Sequence, residues 1–420
     1  MRSAIIAISV IIFLPLVLGG IAAGQDRAMD ELLGNLSHSD AKVRAEAAWA
    51  LGKSGEEGAV QPLIGALSDE DRNVREWAAL GLARIGPPAV AALCSALKGP
   101  EDGGYGEGTS WQAAAVLGLI GDANASRPLQ EALQSNSSTV RYWAAQALGS
   151  LGENSSKESL ISALGDENAS VRYEAGLALI DTQGAGAADI LTGLLLDGSG
   201  SSSNRRAGAA RALGEMEQSS SVPALVAALQ DGQAPVRLEA ARALGRLGNG
   251  QAAEPLVRLL SDSDDGVRSQ AISSLQAIGE PAENPLVSAL KGAENGSEEA
   301  LAAAEGAALA LGGIGVESSS GALEEVFLSG GERIRVASAR AMIEINSSRT
   351  ALYMISLLNS SAAPAEVRAG AARALGEAGE ASGREPLIQA MSGDSDGEVR
   401  MSAARALKSM GGGEVTEYTI

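Results

Sequence analysis

The residue types that most often carry catalysis or bind metals are scarce in this chain. It has one histidine, His38, and one cysteine, Cys94. Zinc and iron–sulfur sites built on cysteine need at least two thiols, and a single thiol cannot form an intrachain disulfide. Cys94 also lies within an apolar segment, which favours a packed thiol over a reactive one. The sequence therefore predicts no catalytic residue, no metal and no cofactor, and we interpret the chain as a protein that is not an enzyme.

One glycine-rich stretch carries carboxylates that could serve as calcium ligands, namely Glu101, Asp102 and Glu107. Calcium prefers oxygen ligands, but a calcium-binding loop needs an alternating pattern of aspartates that wraps the chain around the ion. That spacing is absent here. We therefore predict an acidic turn.

Composition limits both the fold and the partners. The chain has 420 residues, and its net charge of −20 repels phosphate backbones, so nucleic acid is excluded as a partner. Aromatic residues make up only 3% of the chain. A core must then consist of many small, similar contacts, which favours an array of repeats over a few globular domains.

Residues 1–24 have the three-part pattern of a secretory signal peptide. Arg2 precedes a continuous apolar run, and small residues follow up to Gln25. The alternative is an uncleaved membrane anchor formed by residues 4–23, which are long enough to cross a bilayer. Both interpretations predict an exported protein, extracellular or on the cell surface.

The rest of the chain repeats one pattern, shown clearly where Val236 and Arg237 are followed by small residues and by Leu244 and Gly245. Most copies are 31 residues apart. The position of Val236, here called the anchor, is occupied in twelve copies by Val43, Val74, Thr109, Val140, Val171, Arg205, Val236, Val267, Ala303, Ile334, Val367 and Val399. Each copy predicts a helix A, a short polar turn, a helix B that contains the anchor, and a turn with glycine. We expect an all-α solenoid of about twelve helical hairpins over residues 25–411, followed by a tail at 412–420.

This pattern resembles the HEAT-like repeats of the phycobilisome-lyase (PBS lyase) type. The resemblance implies an α-α superhelix of the HEAT/armadillo kind. It leaves three functions open, because such repeats occur in scaffolds, in lyases or accessory factors that act on a bound small molecule or cofactor, and in a di-iron hydroxylase. The hydroxylases hold iron with His-Glu pairs, whereas His38 is followed by Ser39. The metal ligands of that relative are therefore missing here.

Two features recur in the turns between helices A and B. An arginine follows the anchor in ten of the twelve copies, and five copies carry an aspartate or asparagine three residues before it: Asp40, Asp71, Asn168, Asp264 and Asp396. Because a catalytic residue is needed once and a structural one in each unit, we predict a polar ladder that caps helices and joins turns. Insertions at 99–108, 197–204 and 291–300 enter every third repeat, within these same turns.

The helical wheel of helix B separates two faces. Positions 4, 8 and 11 residues after the anchor form a packed stripe, and positions +2, +3, +6 and +10 point away from it. We call these latter positions the B-face, which we expect to be the concave, partner-binding surface. Its aromatic members are Trp49, Trp77, Trp111, Trp143, Tyr142 and Tyr173. They could form a stacking surface for a peptide or glycan, or pack between neighbouring B helices.

Arginines occupy position +6 of the B-face in the second half of the chain: Arg211, Arg242, Arg340, Arg373 and Arg405. Glutamates stand four residues later in three of these copies: Glu215, Glu344 and Glu377. This spacing predicts ion pairs within one helix, and recognition of an acidic partner is the alternative.

Eight asparagines begin the Asn-x-Ser pattern of N-glycosylation: Asn35, Asn124, Asn136, Asn154, Asn168, Asn295, Asn346 and Asn359. Their number agrees with an exported protein. The sequence thus predicts an exported, non-enzymatic scaffold that binds a protein or another cell-surface macromolecule along its concave face.

Overall fold

The computed structural model describes residues 25–98, 106–198, 202–292 and 296–411. The predicted signal peptide or anchor, the C-terminal tail, the carboxylates Glu101 and Asp102, and Asn295 lie outside the described residues. The chain forms two compact units, residues 1–132 and residues 133–420. The boundary falls between helices A and B of the fourth repeat, a division that the sequence does not predict.

Each predicted helix B is present and begins two residues before its anchor, except in repeat 9, where it begins five residues before. The B helices of repeats 1 to 12 are Ala41–Ser54, Arg72–Ile85, Glu107–Ile120, Ser138–Leu151, Ala169–Gln183, Ser203–Glu215, Ala234–Leu247, Asp265–Ile278, Glu298–Ile314, the first part of Glu332–Leu358, Ala365–Ala378 and Gly397–Ser409. Within the described ranges the structure has no strand. The predicted fold class, an all-α superhelix of helical hairpins, is confirmed.

The A helices are shorter, and most of them follow a single turn of 3₁₀ helix. In repeats 1 to 12 they are Gln25–Asn35, Val60–Ala66, Val90–Ala96, Ser126–Ala132, Lys157–Ala163, Ala187–Leu196, Val222–Ala228, Ala253–Arg258, Glu283–Lys291, Ser320–Ser329, the last part of Glu332–Leu358 and Arg384–Gly393. In repeat 11 no 3₁₀ turn separates helix A from the preceding helix B, and only Asn346 departs from helical backbone angles there (φ −159°, ψ 94°).

The core of each unit combines alanine and leucine of the B helices with leucines of the A helices, such as Leu63 and Leu256. Positions +4 and +8 are buried in all twelve repeats, as Ala240 and Leu244 illustrate with 0% exposure. Position +11 is buried at Ile85 and Ile278 but partly exposed in most other repeats. The stripe that the helical wheel predicts is therefore packed, and positions +6 and +10 of the B-face lie almost entirely outside the core. The prediction is wrong for position +3, which is buried in seven of the twelve repeats, as at Gln112 and Gly370.

Neighbouring B helices approach closely because small residues lie where they touch. A Cβ added at Gly245 would lie 2.7 Å from the Cβ of Ser274 on the next helix B. The same contact is made by Gly214 against Ala243 and by Gly376 against Ala406. The leucine-glycine pair in the repeat thus combines a core residue with a residue whose lack of a side chain sets the distance between repeats.

None of the helices in the described ranges is, taken singly, long and apolar enough to cross a membrane. Two helical segments joined by a sharp bend, Arg72–Ile85 and Pro87–Ala96, are together long and apolar enough by length and composition alone.

Candidate partner-binding face

Five of the arginines that follow an anchor bind an aspartate of the next repeat through two hydrogen bonds. Arg237 donates from Nε and from Nη2 to the two carboxylate oxygens of Asp262, both at 2.7 Å. Its Nη1 donates to the carbonyl of Asp231 at 2.9 Å. The five pairs are Arg44–Asp69, Arg141–Asp166, Arg206–Asp231, Arg237–Asp262 and Arg368–Asp394. The planar guanidinium bonds to both oxygens of the carboxylate. Each arginine–aspartate pair, or rung of the ladder, therefore fixes the orientation of two successive turns.

The predicted ladder is therefore present, but its acid is a different residue. Each ladder aspartate lies five residues before the anchor of its own repeat, whereas the residue predicted from the sequence lies three residues before the anchor. The latter residues cap helices instead, as Asp71 does by accepting from the backbone N–H groups of Asn73 and Val74. All five of the named residues, from Asp40 to Asp396, make such a cap.

Four of the ladder aspartates have a lowered pKa, which favours their ionised form. The hydrogen bonds from Arg44 lower the pKa of Asp69, and those from Arg368 lower the pKa of Asp394. At Asp231 and Asp262 burial alone raises the pKa, but hydrogen bonds from the ladder arginine and from a backbone N–H outweigh it, so the net pKa lies below its ordinary value.

His38 occupies the ladder position of the first repeat. Its Nδ1 accepts from the backbone N–H of Asp40 at 3.0 Å, as Asp69 accepts from the N–H of Asp71 at 2.9 Å in the next turn. The imidazole thus orders the turn as the aspartate does elsewhere. His38 is itself exposed.

In unit 1 the structure brings two of the predicted aromatic residues together. Trp49 and Trp77 lie on neighbouring B helices with ring centroids 4.9 Å apart and planes inclined by 57°. The guanidinium of Arg84 lies 6.0 Å from the centre of the Trp49 ring. Trp49 nevertheless remains 38% exposed. The rings therefore pack between repeats and still present an aromatic surface. Trp111, on the next helix B, is half-buried.

In unit 2 a second aromatic group spans three B helices. Tyr142 and Trp143 meet edge to face at 5.5 Å, and the guanidinium of Arg211 stacks over the ring of Tyr173 at 4.3 Å. Burial, together with the charge of the nearby buried Glu174, raises the pKa of the Tyr142 phenol. All three rings are half-buried.

The arginines at position +6 pair with other repeats more than with their own helix. Arg340 binds Glu377 of the next repeat at 3.2 Å, and Arg373 contacts Glu332 at 3.3 Å and Glu398 at 3.5 Å. Arg242 contacts Glu239 of its own helix at 3.3 Å and also reaches Gln270 of the next repeat.

The predicted pairing four residues apart is wrong for Arg340 and Arg373, because side chains on adjacent B helices come as close as successive turns of one helix. Glu215 likewise binds Arg246 of the following repeat at 2.6 Å. Arg405 is exposed on the last helix B.

Five of the predicted glycosylation asparagines are exposed: Asn124, Asn136, Asn154, Asn346 and Asn359. Asn35 and Asn168 are partly buried. The Oδ1 atom of Asn168 caps helix B of repeat 5.

The single thiol is held in its neutral form. Cys94 is half-buried, and burial raises its pKa to about 11. A thiolate is the nucleophilic form of cysteine, so this environment suppresses reactivity. In the part of the chain that the structure describes, no three His, Cys, Asp or Glu side chains converge as a metal site would require.

Helical hairpins that repeat in register define a class of protein, the all-α repeat proteins. A family model described as HEAT repeats matches residues 29–104, 108–180, 140–214, 158–239, 199–276, 222–306 and 353–418. The chain therefore belongs to the HEAT-repeat family. No curated protein matches the sequence.

Solved structures of Kap121p share the fold at low sequence identity. Kap121p bound to Pho4p has a TM-score of 0.53 and 15% identity over 92% of this chain. Kap121p bound to the extreme C-terminus of the protein phosphatase Cdc14p has a TM-score of 0.52 and 13% identity over 93% of this chain. An engineered protein that is covered over 98% of its length has a TM-score of 0.32 and 23% identity over 91% of this chain. The chain spans about half the length of Kap121p, with 49% of it covered.

Proposed function

We propose that this protein is an exported HEAT-repeat scaffold, without enzymatic activity of its own, that binds a protein partner along the B-face. The observation that carries the proposal is the tryptophan pair of unit 1. Trp49 is a large rigid ring on the B-face that stays 38% exposed although Trp77 supports it at 4.9 Å. A core role alone would favour full burial of such a ring.

Exposed aromatic rings held by a neighbouring side chain suit protein recognition. They offer large apolar area and lose little rotamer freedom on binding, which is why tryptophan, tyrosine and arginine dominate binding hot spots. Unit 2 repeats this chemistry with Tyr142, Trp143 and the stacked pair of Tyr173 and Arg211. Kap121p, which has the same fold, is described as bound to Pho4p and to a segment of Cdc14p. That precedent supports a protein partner for this chain.

The finer features of the proposal come from the sequence. They are a relationship to the PBS lyase type of HEAT-like repeat, export by a signal peptide at residues 1–24 or anchoring by residues 4–23, and glycosylation at exposed asparagines. Exposure of five of these asparagines supports the last of these features, since an oligosaccharide needs open space around its attachment site.

Site-specific photo-crosslinking tests the binding face. A photoreactive phenylalanine analogue replaces Trp49 or Arg242 on the B-face, and Leu352 or Ile388 in matched controls on A helices, where these two side chains are 66% and 42% exposed. Irradiation on the native host surface should give the same discrete adduct from the two B-face positions and none from the controls. An adduct from the A-helix positions with none from the B-face would refute the proposed face.

Protein chemistry on material from the native host tests export. We expect the mature chain to begin near Gln25 and to lose mass on treatment with a glycosidase that removes N-linked sugars. An intact Met1 in the membrane fraction would support the anchored form. An intact Met1 in a soluble cytosolic pool would refute export.

A further inference from the structure

The B-face of unit 1 is apolar at its centre. Position +6 of its three B helices is occupied by Trp49, Leu80 and Ala115, whereas five repeats of unit 2 have arginine there. Trp49 is 38% exposed, and Leu119 at position +10 of repeat 3 is 53% exposed. Apolar side chains grouped on one face mark a site of interaction, whereas scattered ones do not.

Two cations without a counter-ion border this apolar centre. Lys53 and Arg84 occupy position +10 of repeats 1 and 2, and both side chains are exposed. Within the described residues, neither forms an ion pair, and the contact recorded for Arg84 is the one with the ring of Trp49 at 6.0 Å. Cations on the B-face of unit 2, such as Arg246 and Arg340, are instead bound to glutamates of neighbouring repeats.

The acidic residues on the B-face of unit 1 already have cations beside them. Glu46 lies 4.0 Å from Lys42, and Glu76 lies 2.7 Å from Arg72, each four residues earlier on its own helix. The two exposed glutamates of the turn after helix B of repeat 1, at positions 56 and 57, form no ion pair with the lysine at position +10. This edge of the B-face therefore carries positive charge that the described chain does not neutralise, although the whole molecule is acidic.

The two cations stand on helices that touch. A side chain at Gly52 would collide with the Cα atom of Gly81 on the next helix B, so glycine permits this close approach. Trp49 lies one helical turn before the lysine, and Trp77 packs against it from the neighbouring helix at 4.9 Å. Arg84 reaches from repeat 2 over the Trp49 ring. A guanidinium at the face of an indole keeps the N–H groups at its edge free to bind a carboxylate.

We propose that the surface formed by Trp49, Trp77, Lys53 and Arg84, here called the tryptophan–cation surface, binds an acidic peptide segment of the partner in which an Asp or Glu stands next to an apolar side chain. The apolar side chain covers the exposed part of the Trp49 ring, and the carboxylate binds the guanidinium of Arg84. The charge of the surface favours this occupant, because a neutral glycan leaves both cations unpaired and a basic peptide is repelled by them. The inference rests on the proposed function and gives the chemistry of the partner at unit 1.

Selection from a library of random peptides displayed on phage tests this chemistry. The bait is the purified full chain in ~0.15 M sodium chloride, where the Debye length is about 8 Å and distant acidic groups act weakly. We expect the selected peptides to combine apolar residues with Asp or Glu. Selection of basic peptides, or of none, would overturn the proposal, and binding to neutral oligosaccharides without any selected peptide would point to a glycan surface instead.

Charge reversal locates the selected peptides on the tryptophan–cation surface. Fluorescence anisotropy of a labelled selected peptide gives its affinity for each variant of the full chain. Arg84→Glu should weaken binding by about tenfold or more, and it should restore binding of a copy of the peptide in which the acidic residue is replaced by lysine. The control Arg72→Glu makes the same change of charge at an exposed arginine of the same helix and should alter the affinity by less than about twofold. Equal effects of the two variants would show a response to net charge alone and refute the site.

The aromatic half of the surface has its own variant. Trp49→Ala should weaken binding of the selected peptide by about tenfold, because it removes the ring that the apolar side chain covers. Thermal unfolding of this variant is measured in parallel, since Trp77 also packs against the ring. Unchanged affinity in a folded Trp49→Ala variant would refute the aromatic contact. If the variant unfolds, Arg84→Glu decides the outcome, because that side chain is exposed.

Failure of this inference and failure of the proposed function give different results. A photo-crosslinked adduct at Arg242 without selected acidic peptides would keep the B-face as the binding surface and refute the chemistry proposed for unit 1. Selected acidic peptides that depend on Arg84, with adducts confined to the A helices, would refute the proposed face and keep the peptide-binding chemistry.

Discussion

At the residue scale, the position twelve residues after the anchor follows helix B and has a positive φ in ten of the twelve repeats. Glycine fills it in most repeats, for example Gly248 with φ of 62°. In repeat 6 the same position is Glu217, which is the only residue other than glycine with a positive φ (54°) in the part of the chain that the structure describes. A side chain in this conformation brings Cβ against the carbonyl oxygen, which costs about 1 kcal/mol.

Glu217→Gly should therefore stabilise unit 2 by ~0.5 kcal/mol, since relief of backbone strain exceeds the added entropy of the unfolded chain. The ion pair lost with Arg246 is long, at 3.8 Å, and exposed, so it contributes little. The reciprocal variant Gly248→Ala should destabilise by ~1 kcal/mol. Urea unfolding followed by circular dichroism measures both. A destabilised Glu217→Gly variant would contradict the argument.

At the scale of the element, the spacing between B helices is set by glycine at the contact. The Cα and Cβ atoms of Ser274 lie 2.8 Å and 2.7 Å from the place where a Gly245 side chain would begin. The hydroxyl of Ser274 also donates to the carbonyl of Ala241 at 2.8 Å, which fixes it in place. Neither backbone can move away without loosening the buried stripe.

Gly245→Ala should destabilise unit 2 by ~1–2 kcal/mol, because overpacking costs more than the better helix propensity of alanine returns. Gly193→Ala is the matched control. Gly193 lies within helix A of repeat 6, with no atom within 4 Å of an added Cβ, and this change should stabilise by ~0.5–1 kcal/mol. In thermal unfolding, we expect Gly245→Ala to lower the melting temperature and Gly193→Ala to raise it. Stabilisation by both variants would show that the helices do not touch as described.

At the scale of the whole molecule, the arginine–aspartate ladder makes the free energy of unfolding depend on pH in the acidic range. The pKa values of Asp69, Asp231, Asp262 and Asp394 are lowered in the folded state. A group whose folded pKa is lowered adds stability above its unfolded pKa of about 3.9 and loses it as the pH falls through the folded value.

We expect the free energy of unfolding to change little between pH 7 and pH 5 and to fall steeply below about pH 4. Sodium chloride at ~0.5 M in all samples screens the repulsion among exposed carboxylates that would otherwise mask the effect. Asp262→Asn should lower the free energy of unfolding at pH 7 by ~1.5–3 kcal/mol, because it removes one arginine–aspartate pair. It should also reduce the further loss of stability below about pH 4. Asp265→Asn, which changes an exposed carboxylate at the start of the following helix B that pairs only with Arg268 of the same helix, is the control. If the Asp262→Asn variant loses stability below about pH 4 as steeply as the unmodified protein does, the ladder is not the cause of that loss.

The sequence by itself determined the repeat. The anchors, the buried stripe at +4 and +8, the helix caps three residues before the anchor and the glycine after helix B are all visible in it. Each of these features depends on residues within one or two helical turns, where the helical period fixes which side chains meet. Positions +6 and +10 of the B-face were predictable for the same reason, whereas the burial of position +3 in seven repeats depends on packing between helices.

Only the tertiary structure decided which side chains meet across repeats. It placed Asp262 rather than Asp264 on Arg237, Glu377 rather than Glu344 beside Arg340, and Trp77 against Trp49. It also showed that Ala362 leaves Arg335 without an aspartate partner and that the absence of a side chain at Gly370 makes room for the Arg335 side chain. These contacts join residues about 25 to 40 positions apart, and their identity depends on the distance and rotation between stacked helices. Packing of side chains across the interface sets that geometry, and the periodicity within a single helix does not contain it.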